Sequence, residues 1–236
     1  MSETGITDIP GTAQLGRRDR NMREKRERIT RAAAELFAEL GFGAVTTQAI
    51  SDRADVAAGT LFRYASSKSE LLLMVYNEVF REAMERGIRL AGAETSAAAA
   101  VASLVREVVE QAQRSPENSV AYQRELLFGA DGERFRAEGL ELVASFESEI
   151  AQVIGAEAAR RGIAADPDSV RVAGASVFAA MHLAIARLST GAHEGANVCD
   201  DLRLQIAQIV EGTLRGLHEA HSPARGVGTP RGKEEQ

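Results

Sequence analysis

A single cysteine, Cys199, stands among 236 residues, so no intramolecular disulfide can form and a reducing compartment suits the chain. The N-terminal stretch lacks the apolar core that a secretory signal requires. The longest uncharged run, Val172 to Ala186, is short of the roughly 20 residues a membrane helix needs, and it is rich in Ala, Gly and Ser. These absences point to a cytoplasmic protein with no membrane partner. There is no G-x-S-x-G, no P-loop and no G-x-G-x-x-G, which removes the usual sequence grounds for an enzyme. Beyond Gly92 no alternating strand pattern is found, and nothing repeats internally.

What is present is an apolar share of 44%, enough for a real core, in a length that suits one large domain or two modest ones. The net charge of −6 is unevenly spread: residues 1–68 carry 11 Lys+Arg against 9 Asp+Glu, and the remainder 17 against 25. A basic end on an acidic body suits a protein that touches nucleic acid with one part only. From Arg17 to Arg31 there are eight basic residues against three acids. That run reads either as a solvated helix face laced with i,i+4 pairs or as a phosphate-seeking arm; its place just before the stretch described next favours the arm.

Residues 46–68, TTQAISDRADVAAGTLFRYASSK, organise the chain. Thr46 is an N-cap for a short helix to about Ala54, with Ala49, Ile50 and Ala54 on one apolar side. Asp55 sits where the chain must reverse, and Asp tolerates the left-handed conformation. A second helix, about Ala58 to Tyr64, buries Leu61 and turns Thr60, Arg63 and Tyr64 outward. This is a helix-turn-helix whose second helix is sized for a DNA major groove. Upstream, Ile29, Ala32, Ala33, Leu36, Phe37 and Leu40 form one helical stripe that ends at Gly41. Downstream, Ser67 and Glu70 form an S-x-x-E capping box that opens a long helix to about Leu90.

The run ISDRADVAAGTLFRYASSKSEL resembles the TetR-family DNA-binding motif, I-A-x-x-A-G-V-S-x-G-T-L-Y-x-H/Y-F-x-S-K-x-x-L, and ITRAAAELFAELGF resembles that family's first helix. The resemblance covers about residues 25 to 75. Departures from it include Asp55 for a Gly, Ala57 for a Ser, Phe62 for a Tyr and Ala65 for a Phe. It implies phosphate contacts by Thr47 and Lys68, base reading by Gln48, and recognition-helix contacts by Thr60 and Tyr64. A Gln can bond adenine N6 and N7 bidentately. The full DNA-binding set is then Thr46, Thr47, Gln48, Thr60, Arg63, Tyr64 and Lys68, with Arg17, Arg18 and Arg20 from the arm. Ala57 cannot cap the recognition helix as Ser does, at a cost of about 1 kcal/mol.

The remainder reads as helices and loops. Val101 to Ala112 is amphipathic; Ser115-Pro116, Asp131 and Asp166-Pro167 each open a helix by cap or by cap and Pro; the last helix runs from Asp201 to about His218. The helix from residue 167 is apolar on nearly all faces, and the last carries Gly212 and Gly216 four apart. Either both helices lie deep within one subunit or they pack against a partner; the DNA reading decides for the partner, because two-fold dimers on paired half-sites extend what one recognition helix can contact. The resemblance implies the same, a dimer through the last two helices. It also implies an inducer cavity, for which Phe80, Met84, Tyr122, Phe128, Phe146, Phe178, Met181 and His182 are the candidate lining, each of which also reads as ordinary core. His182 reads as a core histidine before it reads as a ligand anchor. His218 and His221 share i,i+3 spacing where the last helix frays, and His193 stands alone; no metal and no cofactor are expected.

The expected protein is all-α: a disordered basic-ended arm (1–20), a helix-turn-helix domain (21–68), a helical ligand-binding and dimerisation domain (69–220) and a disordered tail (221–236). Its expected partners are a pseudo-palindromic double-stranded operator, a second copy of itself and a hydrophobic small molecule. The competing reading is a DNA-bound interaction protein whose second domain docks a protein partner. A concave apolar cavity favours the first and a filled core with an exposed apolar patch the second.

Overall fold

Length and spacing of the apolar stripes lead to helices throughout. A computed structural model describes residues 12–188, 190 and 197–221; the expectations for residues 1–11, His193 and 222–236 lie outside them. The described residues form α1 (Thr12–Ala44), α2 (Thr47–Arg53), α3 (Ala58–Leu61), α4 (Lys68–Ala91), α5 (Ala97–Arg114), α6 (Pro116–Phe128), α7 (Arg134–Arg160), α8 (Pro167–Arg187) and α9 (Val198–His221), with no strand among them.

The chain divides into two units. The first holds Met1–Ala83, Glu110–Leu142 and Ile185–Gly191; the second holds Met84–Val109, Val143–Ala184 and Ala192–Gln236.

In the first unit the α1 stripe is buried through Ile29, Ala32, Ala33, Leu36 and Phe37, but Leu40, its last expected member, is 52% exposed. Burying a side chain the size of Phe37 stabilises by about 1.5–3 kcal/mol. Gly41, at φ 75°, breaks the helix in the left-handed region, where a residue with a Cβ is strained. Residues 12–20, expected to be disordered, are instead the first turns of α1. Exposed pairs of Arg20 with Glu24 and Arg23 with Glu27, each one turn apart, support that helix, by about 0.2–0.5 kcal/mol per pair. Val45, Ile50, Leu61, Leu71, Leu72, Val75, Leu126 and Phe135 are among the other buried residues of this unit. Asn77 is buried with both ends of its amide satisfied: it donates to the Phe135 carbonyl at 2.8 Å and accepts from the Tyr122 hydroxyl at 2.9 Å.

Two expected starts in this unit differ. Ser115 makes no side-chain cap bond to α6, although Pro116 takes the first helical position as expected. Asp131 does not open α7: Gly132, at φ 84°, turns the chain first, and Asp131 pairs with Arg136 at 3.0 Å.

In the second unit Val101, Leu104, Val105, Phe146, Ile150, Ile154, Val177, Met181, Ile206, Val210 and Leu214 are buried. Arg161, just past α7, holds Glu211 of α9 through two bonds of 3.1 Å. Asp166 caps α8 as expected, accepting from the Ser169 amide at 2.9 Å. The last helix starts three residues earlier than expected, because Asn197 accepts from the Cys199 amide at 3.1 Å. At 21 residues, α8 is long and apolar enough to cross a membrane by length and composition alone, although its uncharged run is shorter. Ala173, Val177, Met181 and Ile185 bury one side of it, while Val172 and Leu183 remain 52% exposed on another.

Candidate nucleic-acid interface

The helix-turn-helix is built from local chemistry. Thr46, extended at φ −114°, ψ 153°, accepts from the Ala49 amide at 3.1 Å and so caps α2. Asp55 reverses the chain at φ 51°, the one non-glycine residue with positive φ among those described. Ala57 makes no side-chain cap for α3, as its chemistry requires. The recognition helix is regular only over Ala58–Leu61, four residues; amide bonds from Arg63 to Thr60 and from Tyr64 and Ala65 to Leu61 carry a tighter turn onward to Ala65. Leu61 and Ala65 are buried, and Phe62 is 49% exposed.

The predicted contact residues fall into three groups. Gln48 and Arg63 are exposed and Thr47 and Thr60 half-buried, on the two helices of the motif. Gln48 donates to Asp52 one turn on at 2.7 Å, which holds its amide along α2. Tyr64 is half-buried and its hydroxyl donates to the Met22 carbonyl at 3.3 Å, tying the end of the recognition turn back to α1.

Lys68 departs from expectation. Its ammonium does not point outward; it donates to the carbonyls of Phe42 and Val45 at 2.8 and 3.0 Å and sits 4.4 Å from the centre of the Phe42 ring. The reason is the break at Gly41, which leaves carbonyls at the end of α1 without helical partners, and a cation over an aromatic face suits that place. Arg20 is exposed and paired only loosely with Glu24, at 3.8 Å. Arg17 and Arg18 lie on α1, and their side chains fall outside the described residues.

Neighbouring charges are committed within the motif. Arg53 grips Glu39 through two bonds of 3.1 Å and reaches Glu35 at 3.4 Å. The hydrogen bond lowers the Glu39 carboxyl below its ordinary pKa and raises that of Arg53. Arg28 meets Asp55 at 3.4 Å.

Residues from far along the chain support the corner before α2, and no local signal marked them. Asn118 accepts from the Phe42 amide and donates to the Phe37 carbonyl, both at 2.7 Å, and Glu117 accepts from the Gly43 amide at 2.8 Å. Lys68 takes the carbonyls of that corner and α6 takes its amides.

The candidate ligand residues are divided. Phe80, Tyr122 and Phe128 belong to the first unit, and Met84, Phe146, Phe178, Met181 and His182 to the second. Phe146, Phe178 and His182 form a ring cluster with centroids 6.5 and 5.7 Å apart. Burial pulls the His182 imidazole below its ordinary pKa of 6.5. Tyr122 is buried on Asn77, and burial raises its hydroxyl well above the ordinary value. Phe128 is 81% exposed at the last turn of α6, so its ring lies in solvent and walls no apolar interior. A cavity of about 280 Å³ does open in the second unit between α5 and α9, lined by Ser103, Arg106, Val109, Cys199, Leu202 and Ile206 among others; none of the eight candidates lines it.

The profile of the bacterial regulatory proteins, tetR family, matches residues 29–75. The chain is similar to the HTH-type transcriptional repressor KstR of Mycobacterium tuberculosis, 34% identical over 106 residues, or 45% of this chain and 48% of that protein. It is also similar to the HTH-type transcriptional regulator TcmR of Streptomyces glaucescens, 33% identical over 97 residues, 38% of this chain and 42% of the relative. The matched stretch spans about half the length of these relatives or less. In structure it is similar to FadR of Thermus thermophilus, a TetR-family repressor solved with lauroyl-CoA: TM-score 0.60 and 25% identity over 88% of this chain and 100% of that one. A TetR regulator from Rhodococcus sp. RHA1 aligns with TM-score 0.63 at 20% identity, over 80% of this chain and 97% of that one, and shows the fold alone. The helix-turn-helix geometry and the profile match agree that residues 29–75 form a DNA-binding domain of the tetR family type, in a chain whose fold is similar to that of solved TetR-family regulators.

Proposed function

We propose that this chain is a dimeric transcriptional repressor that reads a pseudo-palindromic operator and is released from it by a hydrophobic small molecule. The observation that carries the DNA half is the outward face of α2 and α3: Gln48 and Arg63 stand exposed beside Thr47 and Thr60, while the nearby acids Glu35, Glu39 and Asp55 are engaged by Arg53 and Arg28 and Asp52 accepts from Gln48. Polar contacts from such a face read base edges, and the exposed cations of α1 add phosphate contacts that carry no sequence. The protein would work in the cytoplasm.

The dimer is supported by apolar side chains left at the surface of α8 and α9, namely Val172, Leu183 and Leu204, the last 56% exposed. Gly212 and Gly216 have open space above them, which admits the backbone of a second helix. Dimerisation brings two recognition helices to two half-sites, and a ligand that favours a different spacing lowers affinity for both at once. The similar FadR was solved with lauroyl-CoA, so long-chain acyl-CoA thioesters are the first class to try.

Footprinting on genomic fragments, followed by titration of lauroyl-CoA into the complex, tests the reading. A protected two-fold site that is lost on addition of the thioester supports it. Protection that survives a panel of acyl-CoAs and hydrophobic acids leaves a DNA-binding protein without this effector, and no protection anywhere overturns the DNA half.

A further inference from the structure

The Ser67–Glu70 box is only half formed. Ser67 does cap α4, accepting from the Glu70 amide at 3.0 Å. The carboxylate of Glu70 does not return to the Ser67 amide as a capping box requires. One oxygen accepts from the Ser66 amide at 2.9 Å and from the Ser66 hydroxyl at 3.3 Å; the other accepts from the Phe135 amide at 3.2 Å. Ser66 is the residue after Ala65, where the recognition turn ends, and Phe135 is the second residue of α7. Glu70 is buried, with 6% of its surface exposed.

Two further contacts make the same junction. Asn77, two turns along the same face of α4, holds the Phe135 carbonyl at 2.8 Å, so both backbone polar groups of Phe135 bond to α4. Ser67 donates its hydroxyl to Glu133 at 3.4 Å. The Phe135 ring is buried, with the guanidinium of Arg26 from α1 5.6 Å from its centre. All of these residues lie in the first unit.

We propose that Glu70 is a positioning residue for DNA binding, which locks the end of the recognition turn to the first turn of α7 so that the two move as one piece. The proposal rests on the DNA-binding reading above and names the contact that carries it. Only a carboxylate can serve here. Both amides are donors, and a carboxylate offers an acceptor to each, whereas the amide of Gln offers one acceptor and turns an NH₂ donor toward the other. A displacement of the α7 first turn therefore reaches Ser66 directly, and one of Ser66 reaches Phe135.

Glu70→Gln separates this role from simple electrostatics by sign. Loss of one negative charge from the DNA-binding unit favours a polyanion, so charge alone predicts tighter binding. Loss of position predicts binding to a random-sequence duplex weakened by about tenfold, the size of one charge-assisted hydrogen bond, with an unchanged salt slope because no phosphate contact is removed. Exchange of the Phe135 amide should accelerate in the same variant. Equal or tighter binding overturns the proposal.

If Glu70→Gln does not fold, the wild-type protein decides the matter. Saturation with the same duplex should slow exchange of the Phe135 amide together with that of Ser66. A Phe135 amide that exchanges at the same rate with and without bound DNA overturns the proposal while leaving the DNA-binding reading intact. Wild-type protein that binds no duplex even at low salt overturns that reading, and the proposal with it.

Discussion

The corner before α2 and the outer faces of α8 and α9 treat their surface groups in opposite ways. At the corner, the amides of Phe42 and Gly43 and the carbonyls of Phe42 and Val45 each have a side-chain partner, drawn from α6 and from Lys68. On α8, Val172 and Leu183 stand half in solvent, and on α9 Leu204 does the same. A saturated polar corner holds one geometry, because any shift breaks several of these side-chain bonds at once. An exposed apolar face holds none by itself, and its free energy is gained only when another surface covers it. The first arrangement suits a part that must present side chains at fixed positions; the second suits a part that acts by association.

The largest effect should come from breaking the corner. Asn118→Leu leaves the Phe42 amide and the Phe37 carbonyl without their partner, and two such groups together should lower stability by about 2–6 kcal/mol. Urea unfolding measures it, and a loss under about 1 kcal/mol, the net value of a single ordinary hydrogen bond, would show that water replaces Asn118 freely.

Next comes the apolar face. Leu183→Glu puts a charge where a partner helix should lie and should raise the dimer dissociation constant by at least about tenfold, the equivalent of 1.4 kcal/mol, with little change in helicity. Light scattering checks it: the variant should move toward a single 25.3 kDa chain, and a wild-type mass already equal to one chain would refute the dimer.

A smaller pair of changes compares the cations of the arm with Lys68. Replacing Arg17, Arg18 and Arg20 with Ala should weaken binding to all duplexes alike and flatten the log–log salt dependence by up to about 0.9 per lost phosphate contact. Lys68→Met should leave that slope unchanged, because its ammonium caps carbonyls, and should show instead as a lower unfolding midpoint. A reduced slope for Lys68→Met would mean that the side chain swings out to phosphate when DNA arrives.

The smallest effect is expected at Phe62, whose exposed ring stands where the family carries a Tyr. Phe62→Tyr should tighten operator and random DNA by similar factors, about tenfold for one exposed added bond to a charged oxygen. Gln48→Ala should erode discrimination at one or two base pairs and spare non-specific binding. Paired affinities for operator and scrambled duplexes decide both, and a changed base preference in Phe62→Tyr would move this turn out of its assigned place at the DNA.

The residues on which the sequence was right share a property: their partners are within a few positions of them. Thr46 caps the amide of Ala49, Asp166 that of Ser169, Gly41 breaks its own helix, and Asp55 adopts its own φ. Some misses were local, as where Asp131 pairs with Arg136 five positions on; in three others a competing partner lay far away or the relevant neighbour was the solvent. Glu70 suits a capping box by spacing, but the Phe135 amide, 65 positions on, draws one of its oxygens. Lys68 suits a phosphate contact by motif, but carbonyls 23 and 26 positions earlier hold its ammonium. Phe128 reads as core by type, yet it falls at the last turn of α6 and faces water.

Helix periodicity, breakers, the caps at Thr46 and Asp166 and the helix-turn-helix itself were thus settled by local chemistry, because those interactions close within one or two turns and owe little to the remainder of the fold. The tertiary structure decided which buried polar groups meet across the chain: Asn118 with the end of α1, Asn77 with Tyr122 and Phe135, and Glu70 with Ser66 and Phe135. A carboxylate or amide accepts from any donor brought within reach, so its own position in the sequence does not name its partner; only the packing of α1, α4, α6 and α7 does.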